Sequence, residues 1–330
     1  MDKVEQTERS EIVSLHHVGH IVRNIDDGIS LYRRLGFLPT SPNFYVLESE
    51  GQANQAIGPI NAYSSLRANF IEIVSIAGPQ GSTGDGEPQV INVPPEQREI
   101  FAARLSEAGD KITSWFSQFE GVHILALLTE DIDETARRLT DLGVGNSGAS
   151  TVGRKLNTKD GPKVVPTRFL EVGAPGEDTT STIPEGRIAI AENPDVEVLH
   201  QQTNTAHPNG AADLVEAFLY AESAQFEAVA RRYEGYLGCA PRRTESGCEF
   251  ELAEGRVTLL TEQGLETVFK GERPAASPAF VGYAVAVADL ASTKALLEGN
   301  GFPVRGTGAG ELLVPSSAAL GVAILFRSAN

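Results

Sequence analysis

Four times along the chain, an apolar run gives way to a polar or acidic cap, then to helically spaced apolar residues, then to a glycine. The first run, Leu15–Val22, reads as a strand, and Asn24-Ile25-Asp26-Asp27 after it offers oxygens to the free N–H groups of a helix start. Ile29, Leu31, Tyr32 and Leu35 then fall on one helical face, and Gly36 supplies the stop. Further extended runs follow at Phe44–Leu47 and Ala68–Ile76. The second copy runs Gly121–Leu128, cap Glu130–Asp133, helix Thr135–Leu142, Gly143. The third runs Leu214–Ala221, Glu222-Ser223, helix Phe226–Leu237, Gly238, and the fourth Phe280–Val287, Asp289-Leu290, helix Ser292–Gly299, Gly301.

Self-similarity of this kind fixes the period of a fold. It predicts an α+β protein of four βαβββ modules. One such sheet is too small to bury its own face, so the modules are expected to pair into two curved mixed-sheet domains with helices outside. The first domain is expected over 14–206, with modules 14–80 and 121–206 and an insertion 81–120. The second is expected over 207–330, with modules 210–262 and 278–330. Residues 1–13 are polar and read as a disordered lead-in. Within the insertion, Gly81–Pro95 reads as a loop and Glu96–Phe119 as a helix docked by Trp115, Phe116 and Phe119. Pro208-Asn209-Gly210 reads as the turn between the halves.

Composition narrows the partners more than the chemistry. A net charge of −17 leaves little to neutralise phosphates, which speaks against nucleic acid or an anionic membrane. No apolar run is long enough to span a bilayer, and Met1–Glu11 has no apolar core of a secretion signal. Two cysteines exclude a disulfide scaffold, and a cytoplasmic setting fits. A small-molecule ligand remains as the expected partner, with a homodimer left open.

The repeat, with His17-Val18-Gly19 on its first strand and Phe70-Ile71-Glu72-Ile73 on its last, resembles the vicinal oxygen chelate superfamily. That group includes glyoxalases, epimerases, extradiol dioxygenases and bleomycin-binding proteins. The resemblance covers nearly all of Leu15–Phe326 apart from the insertion. It implies a cleft into which the first and last strands of a module point metal ligands. Carried over by position, the ligands are His17 and Glu72 from the first module, and His123 and Glu197 from the second, whose last strand is read as Asp195–Gln201.

Strand alternation supports this set. His17, Gly19 and Ile21 share one face, opposite Val18, His20 and Val22, while Glu72 stands between apolar neighbours and needs a partner if buried. In the second module His123, Leu125 and Leu127 share a face, and parity prefers Glu197 to His200. His16 and His20 fall on the helix side and read as structural, with a bulge needed to make His20 a base beside the metal. Each ligand also has a plainer reading. His17 and His123 could be hydrogen-bonded core histidines, Glu72 could pair with Arg67, and Glu197 could be a solvated acid. His207 reads as a lid or turn residue, and Tyr45, Tyr63 and Arg67 as substrate contacts.

Imidazoles with carboxylates suit one divalent ion among Fe, Mn, Ni, Co and Zn. In the second half the matching first-strand positions are read as Val215 and Gly282, and the last strands Arg256–Thr261 and Val322–Phe326 offer no inward carboxylate, so that half is expected to be degenerate. The expected function is a metal-dependent lyase, isomerase or epimerase that moves a proton next to a carbonyl, with Glu72 and Glu197 as the acid–base pair. The alternatives are an Fe(II) extradiol dioxygenase and a non-catalytic drug-binding protein.

Overall fold

A computed structural model describes residues 10–47, 55–77, 86–91, 95–175, 183–193 and 196–329. Met1 to Arg9 of the lead-in, Gly81–Asp85 and residues 92–94 of the loop, and Asp195 lie outside the described residues.

The first half contains β1 (Ile12–Ile21), α1 (Ile25–Arg34), β2 (Asn43–Leu47), β3 (Gln55–Ser65), β4 (Phe70–Ile76), β5 (Glu87–Ile91) and α2 (Pro95–Gln118). There follow β6 (Gly121–Thr129), α3 (Ile132–Asp141), β7 (Val144–Asn146), β8 (Ser150–Thr158), β9 (Gly161–Pro175), β10 (Arg187–Glu192) and the one-turn α4 (Val196–Leu199). Its strands form one ten-stranded mixed sheet in the order β5-β2-β3-β4-β1-β6-β10-β9-β7, with β8 hung on β9. The two modules meet where β1 and β6 pair antiparallel, and each module's last strand, β4 or β10, returns parallel to its first.

The second half repeats the plan with β11 (Ala211–Tyr220), α5 (Ser223–Leu237), β12 (Arg242–Thr244), β13 (Gly247–Glu251), β14 (Arg256–Leu260) and α6 (Glu262–Val268). It continues with β15 (Ala279–Val287), α7 (Leu290–Gly299), β16 (Arg305–Gly306), β17 (Leu312–Val314) and β18 (Ala323–Ser328). They form an eight-stranded sheet, β12-β13-β14-β11-β15-β18-β17-β16, again centred on an antiparallel pair flanked by parallel partners. The α+β architecture of two mixed sheets with helices is therefore the one the repeat predicts.

The caps form as their residues dictate. Asn24 accepts from the N–H groups of Asp26 and Asp27, Asp131 from those of Asp133 and Glu134, and Asp289 from that of Ser292. Leu15 and Val18 of β1, Val22 just after it, and Leu125 and Leu127 of β6 enter one continuous core with α1 and the second half. The opposite faces of the same strands are left to line the cleft. At Gly19 the strands approach so closely that a Cβ would lie 2.6 Å from Cβ of Ile124, and this contact explains the glycine.

Three boundaries differ from expectation. Strand β1 starts at Ile12, and Glu11 already bonds Arg138, so the ordered chain begins before residue 14. Glu87–Ile91, expected within the loop Gly81–Pro95, forms β5, paired parallel with β2, while helix α2 runs where expected as a 24-residue rod that docks Ile112 and Trp115 against Ile21, Val74 and Ile124. The last strand of the second module is Arg187–Glu192, not Asp195–Gln201, and Val196–Leu199 is helical instead. Along Arg187-Ile188-Ala189-Ile190-Ala191 the isoleucines enter the core, leaving Arg187, Ala189 and Ala191 to the cleft.

Candidate active site

The cleft of the ten-stranded sheet holds two adjoining cavities. The larger, about 580 Å3, lies beneath β8 and is lined among others by His16, His17, Tyr63, Glu72 and Arg154. The smaller, about 430 Å3, lies between the sheet and Leu105, Ile112 and Trp115 of α2. Tyr45, Asn61, Glu72 and Arg187 line both, so they form the wall between them.

Strand β1 delivers two adjacent histidines to this cleft because its pairing slips. Leu15 pairs with Leu127 and His17 with Ala126, so His16 is an extra residue, and a bulge at that point lets both rings reach the cavity. His16 was expected on the helix side, and the slip is what corrects that expectation. The rings are joined, Nδ1 to Nδ1, at 2.9 Å, and Nε2 of His16 lies 2.9 Å from Oδ1 of Asn193.

The tautomers follow from the placement of the Asn193 amide with its Oδ1 toward His16. Oδ1 of Asn193 is an acceptor, so His16 Nε2–H donates to it and Nδ1 of His16 carries a lone pair. Nδ1–H of His17 then donates to that lone pair. Nε2 of His17 is left bare, facing Oε2 of Glu72 at 3.6 Å. Burial holds both imidazoles neutral. It drives His16 down to about 3, with Arg154 adding to the effect, and His17 well below the usual histidine value, helped by His16 and the two arginines.

Glu72 is buried at the floor, where Nδ2 of Asn61 donates to its Oε1 at 3.1 Å. Burial raises its proton affinity, and Arg187, Asn61 and Arg154 pull the other way without cancelling it. A carboxyl so placed, next to a bare imidazole nitrogen, is a group that can take and return a proton. Phe70 supports the pair from below. His17 stacks on one side at 4.4 Å, and the Arg154 guanidinium lies over the ring at 4.3 Å. Burial and the Glu72 charge raise the hydroxyls of Tyr45 and Tyr63, which keeps both phenols protonated.

Of the residues singled out from sequence, His17, Glu72, Tyr45 and Tyr63 come together here. His123 does not. Counted back from the caps Asn24 and Asp131, His123 stands where His16 stands, and Ile124 where His17 stands. His123 bonds the Phe119 carbonyl at 3.1 Å and stacks with Trp115 and Phe119, under α2. Glu197 and His200 are exposed at and just after α4, because the strand they were assigned to lies earlier. His20 is core, bonded to the Tyr32 hydroxyl at 3.1 Å and the Leu320 carbonyl at 2.9 Å. His207 is neither lid nor solvent-facing turn. It is buried between the Ser65 carbonyl and the Leu38 N–H. Arg67 pairs with Asp213 at the junction with the second sheet, away from both cavities.

Sequence reasoning missed His16, Asn61, Arg154, Arg187 and Asn193. Only Arg187 left a legible signal, the two-residue alternation of isoleucines after it. The others depend on a bulge and on pairings between distant strands.

The corresponding face of the second half is packed with apolar side chains. Leu265 and Phe269 of α6 fill its cleft with Phe218, Tyr220 and Leu325. There the bulge falls at Val215, so Glu216, not Val215, stands where His17 stands. Glu216 is buried and clamped by Nε of Arg256 at 2.8 Å and Nη1 of Arg327 at 2.7 Å, while Thr258 and Leu325 occupy the places of Glu72. Gly282 stands as expected in the fourth module.

Comparison with known proteins now decides the family. A family profile described as a glyoxalase-like domain matches residues 15–237, more than half of the chain. The chain belongs to the glyoxalase-like family. That family match, together with the fold, indicates the vicinal oxygen chelate superfamily. No curated protein sequence matches it. Among solved structures, a hypothetical protein from Staphylococcus aureus is 11% identical over 96% of this chain and 100% of its own, with a TM-score of 0.57. A mutant of 4-hydroxymandelate synthase from Streptomyces coelicolor is 11% identical over 97% and 94%, TM-score 0.53. A catechol 2,3-dioxygenase is 10% identical over 97% and 93%, TM-score 0.50.

The superfamily implies a divalent metal, and the residues of this glyoxalase-like chain do not fit the expected four-ligand site. His17 Nε2 and Glu72 Oε2 are two adjacent donors. Their counterparts in the second module are Ile124 and Ala189, which cannot ligate, since Ala189 pairs with Ala126 as Glu72 pairs with Gly19. Two guanidinium groups, those of Arg154 and Arg187, line the same cavity. Among the described residues no three His, Cys, Asp or Glu side chains converge as a metal site.

Proposed function

We propose that this glyoxalase-like chain is an enzyme that moves a proton at a carbon next to a carbonyl of a small oxygenated substrate. The observation that carries the reading is the buried Glu72 carboxyl, with its proton affinity raised, set against the bare Nε2 of His17. In its ionised form Glu72 takes the proton from the carbon. The electron pair passes into the carbonyl, and negative charge develops on its oxygen. Arg187, on the wall beside Glu72, supplies positive charge for that oxygen within a cleft that burial keeps low in dielectric. His17 Nε2, kept neutral by burial, faces the protonated Glu72 carboxyl as an acceptor and keeps that proton at the floor of the cleft. Return of the proton to the other face or the neighbouring carbon gives an epimerase or isomerase, and loss of a leaving group gives a lyase. No step here runs through a metal ion, because the donors for one are not assembled. A dioxygenase with two histidines and one carboxylate finds its second imidazole engaged, since both nitrogens of His16 are taken by His17 and Asn193.

The test is exchange of hydrogen for deuterium. Small carbonyl compounds incubated with the protein in heavy water, followed by proton NMR, are expected to lose signal next to the carbonyl. Glu72→Gln is expected to slow this by about a hundredfold or more. Absence of exchange by the wild type in every compound it binds would reduce the chain to a binding protein.

A further inference from the structure

We infer that the substrate is an organic carboxylate, and that its carboxylate sits on Arg154. This rests on the reading of the cleft as the substrate site and adds the class of compound that enters it.

The larger cavity is lined by Arg33, Arg154, Lys155 and Arg187 against Glu72 and Glu87, in a chain whose net charge is −17. Cations so concentrated in one concave site, against the overall balance, mark a place for negative charge. Most of them are already engaged or peripheral. Lys155 pairs with Glu87, Arg187 is held by Glu171 at 2.8 Å, and Arg33 is exposed on α1. Arg154 differs. Its guanidinium carbon lies over the Phe70 ring, and its polar contacts are loose: Nη1 donates to Asn193 Oδ1 at 3.5 Å and lies 3.4 Å from His16 Nε2, whose own hydrogen points to Asn193. Among the described residues no carboxylate lies within ion-pair distance of it. A guanidinium presents five donors in a planar fork that matches a carboxylate. One half-buried in a cavity with its fork unanswered is costly unless a ligand answers it.

Three features select a carboxylate over a phosphate. The cavity offers one unengaged fork, whereas a dianion calls for more. Glu72 lines the same cavity and would repel a second negative charge. The remaining walls carry flat, weakly polar surface from Phe44, Tyr45, Tyr63 and Phe169, which suits an organic body and not a bare inorganic ion. The side of the cleft that would complete a metal site is Ile124 and Ala189, so fixed positive charge in this cavity comes from arginine. A ligand anchored at Arg154, beside His16, lies next to His17, whose Nε2 faces Glu72.

The experiment is equilibrium binding at fixed ionic strength. Pyruvate, phenylpyruvate, their methyl esters and inorganic phosphate are titrated by ligand-observed NMR into the wild type, Arg154→Gln, Arg154→Lys and Glu72→Gln, each first shown to unfold at a temperature near that of the wild type. The acids are expected to bind the wild type at least tenfold more tightly than their esters. Arg154→Gln is expected to weaken the acids by about ten- to hundredfold and leave the esters unchanged, as loss of a charged hydrogen-bonded pair should. Arg154→Lys should recover part of the loss. Glu72→Gln should still bind the acids while losing proton exchange, which separates this inference from the proposed reaction. Esters binding as well as acids, acids binding Arg154→Gln as well as wild type, tighter binding of phosphate, or no binding of either acid would each overturn it.

Discussion

At the scale of single residues, the molecule keeps imidazoles neutral and one carboxyl reluctant to ionise. Burial lowers His16 to about 3 and His20 and His123 to about 4, and it lowers His17 and His207 as well. Each of these folded values lies below the ordinary 6.5, so the unfolded chain binds protons that the folded chain refuses. The stability they contribute is present above pH 6.5 and is lost as pH falls from there toward 4 and 3. The midpoint of thermal unfolding is therefore expected to drop steeply over that window. His123→Phe should flatten the drop, because a phenyl ring keeps the stack on Trp115 and Phe119 and has nothing to protonate. Glu72 has the opposite sign. Its folded value lies above the unfolded one, so the stability it contributes is present below the unfolded value and lost as pH rises through the folded one. Glu72→Gln keeps the shape of the side chain and removes that cost. It is expected to raise the unfolding midpoint at neutral pH while abolishing proton exchange. A variant that loses both stability and exchange would point to a structural role for the carboxyl.

At the scale of elements, the strands were legible where alternation and caps agree, and illegible where pairing slips by one residue. The four strand–cap–helix sentences and the long inserted helix follow from local pattern, whereas the pairing of His17 with Glu72 comes from the family resemblance, with strand alternation in support. The second histidine of the cleft follows from neither. Parity counted along an unbroken strand sends His16 to the helix side, and only the pairing of β1 with β6, formed across more than a hundred residues, inserts the bulge that turns it inward. The same slip misaligned the modules and made His123 seem the partner of His17. The second module's last strand was misplaced because Val196 and Val198, read on one face opposite Glu197 and Leu199, mimic an alternating strand, whereas the true one, Arg187–Glu192, had the cleaner alternation. Helix α2 gives this scale its prediction. Trp115 is buried against Ile21, Val74 and Ile124, and with Ile112 it walls the smaller cavity. Trp115→Ala is expected to cost about 3 kcal/mol, the lower end for a large aromatic truncation, since one side of the void opens toward a cavity. Urea unfolding followed by circular dichroism measures this, and an effect below about 1 kcal/mol would show that the helix rests on the sheet without being held by it.

At the scale of the whole molecule, the halves share one core rather than meeting at a wet boundary. Buried side chains of both sheets belong to a single apolar cluster. Polar bonds cross the junction within it, including Tyr32 to Tyr283 between hydroxyls at 3.0 Å, His20 to the Leu320 carbonyl at 2.9 Å and Asn69 to Leu214 at 2.8 and 2.9 Å. Domains joined so closely should unfold together. The lone tryptophan, Trp115, lies in the first half, so its fluorescence reports on that half alone, while circular dichroism reports on both. The two signals are expected to change at the same denaturant concentration. A stronger form of the test perturbs only the second half. Glu216 is sealed in its cleft between Arg256 and Arg327, and removing the carboxylate leaves two guanidinium groups facing each other. Arg327 keeps Glu311 as a partner at 2.5 Å, and both arginines retain some contact with water, which softens the loss. Glu216→Ala should therefore cost about 3 kcal/mol, the low end for breaking a buried ion pair. With one shared core, that loss appears in full in the Trp115 transition, far from the mutated site. With independent halves, Trp115 would unfold as in the wild type and only the circular dichroism would shift.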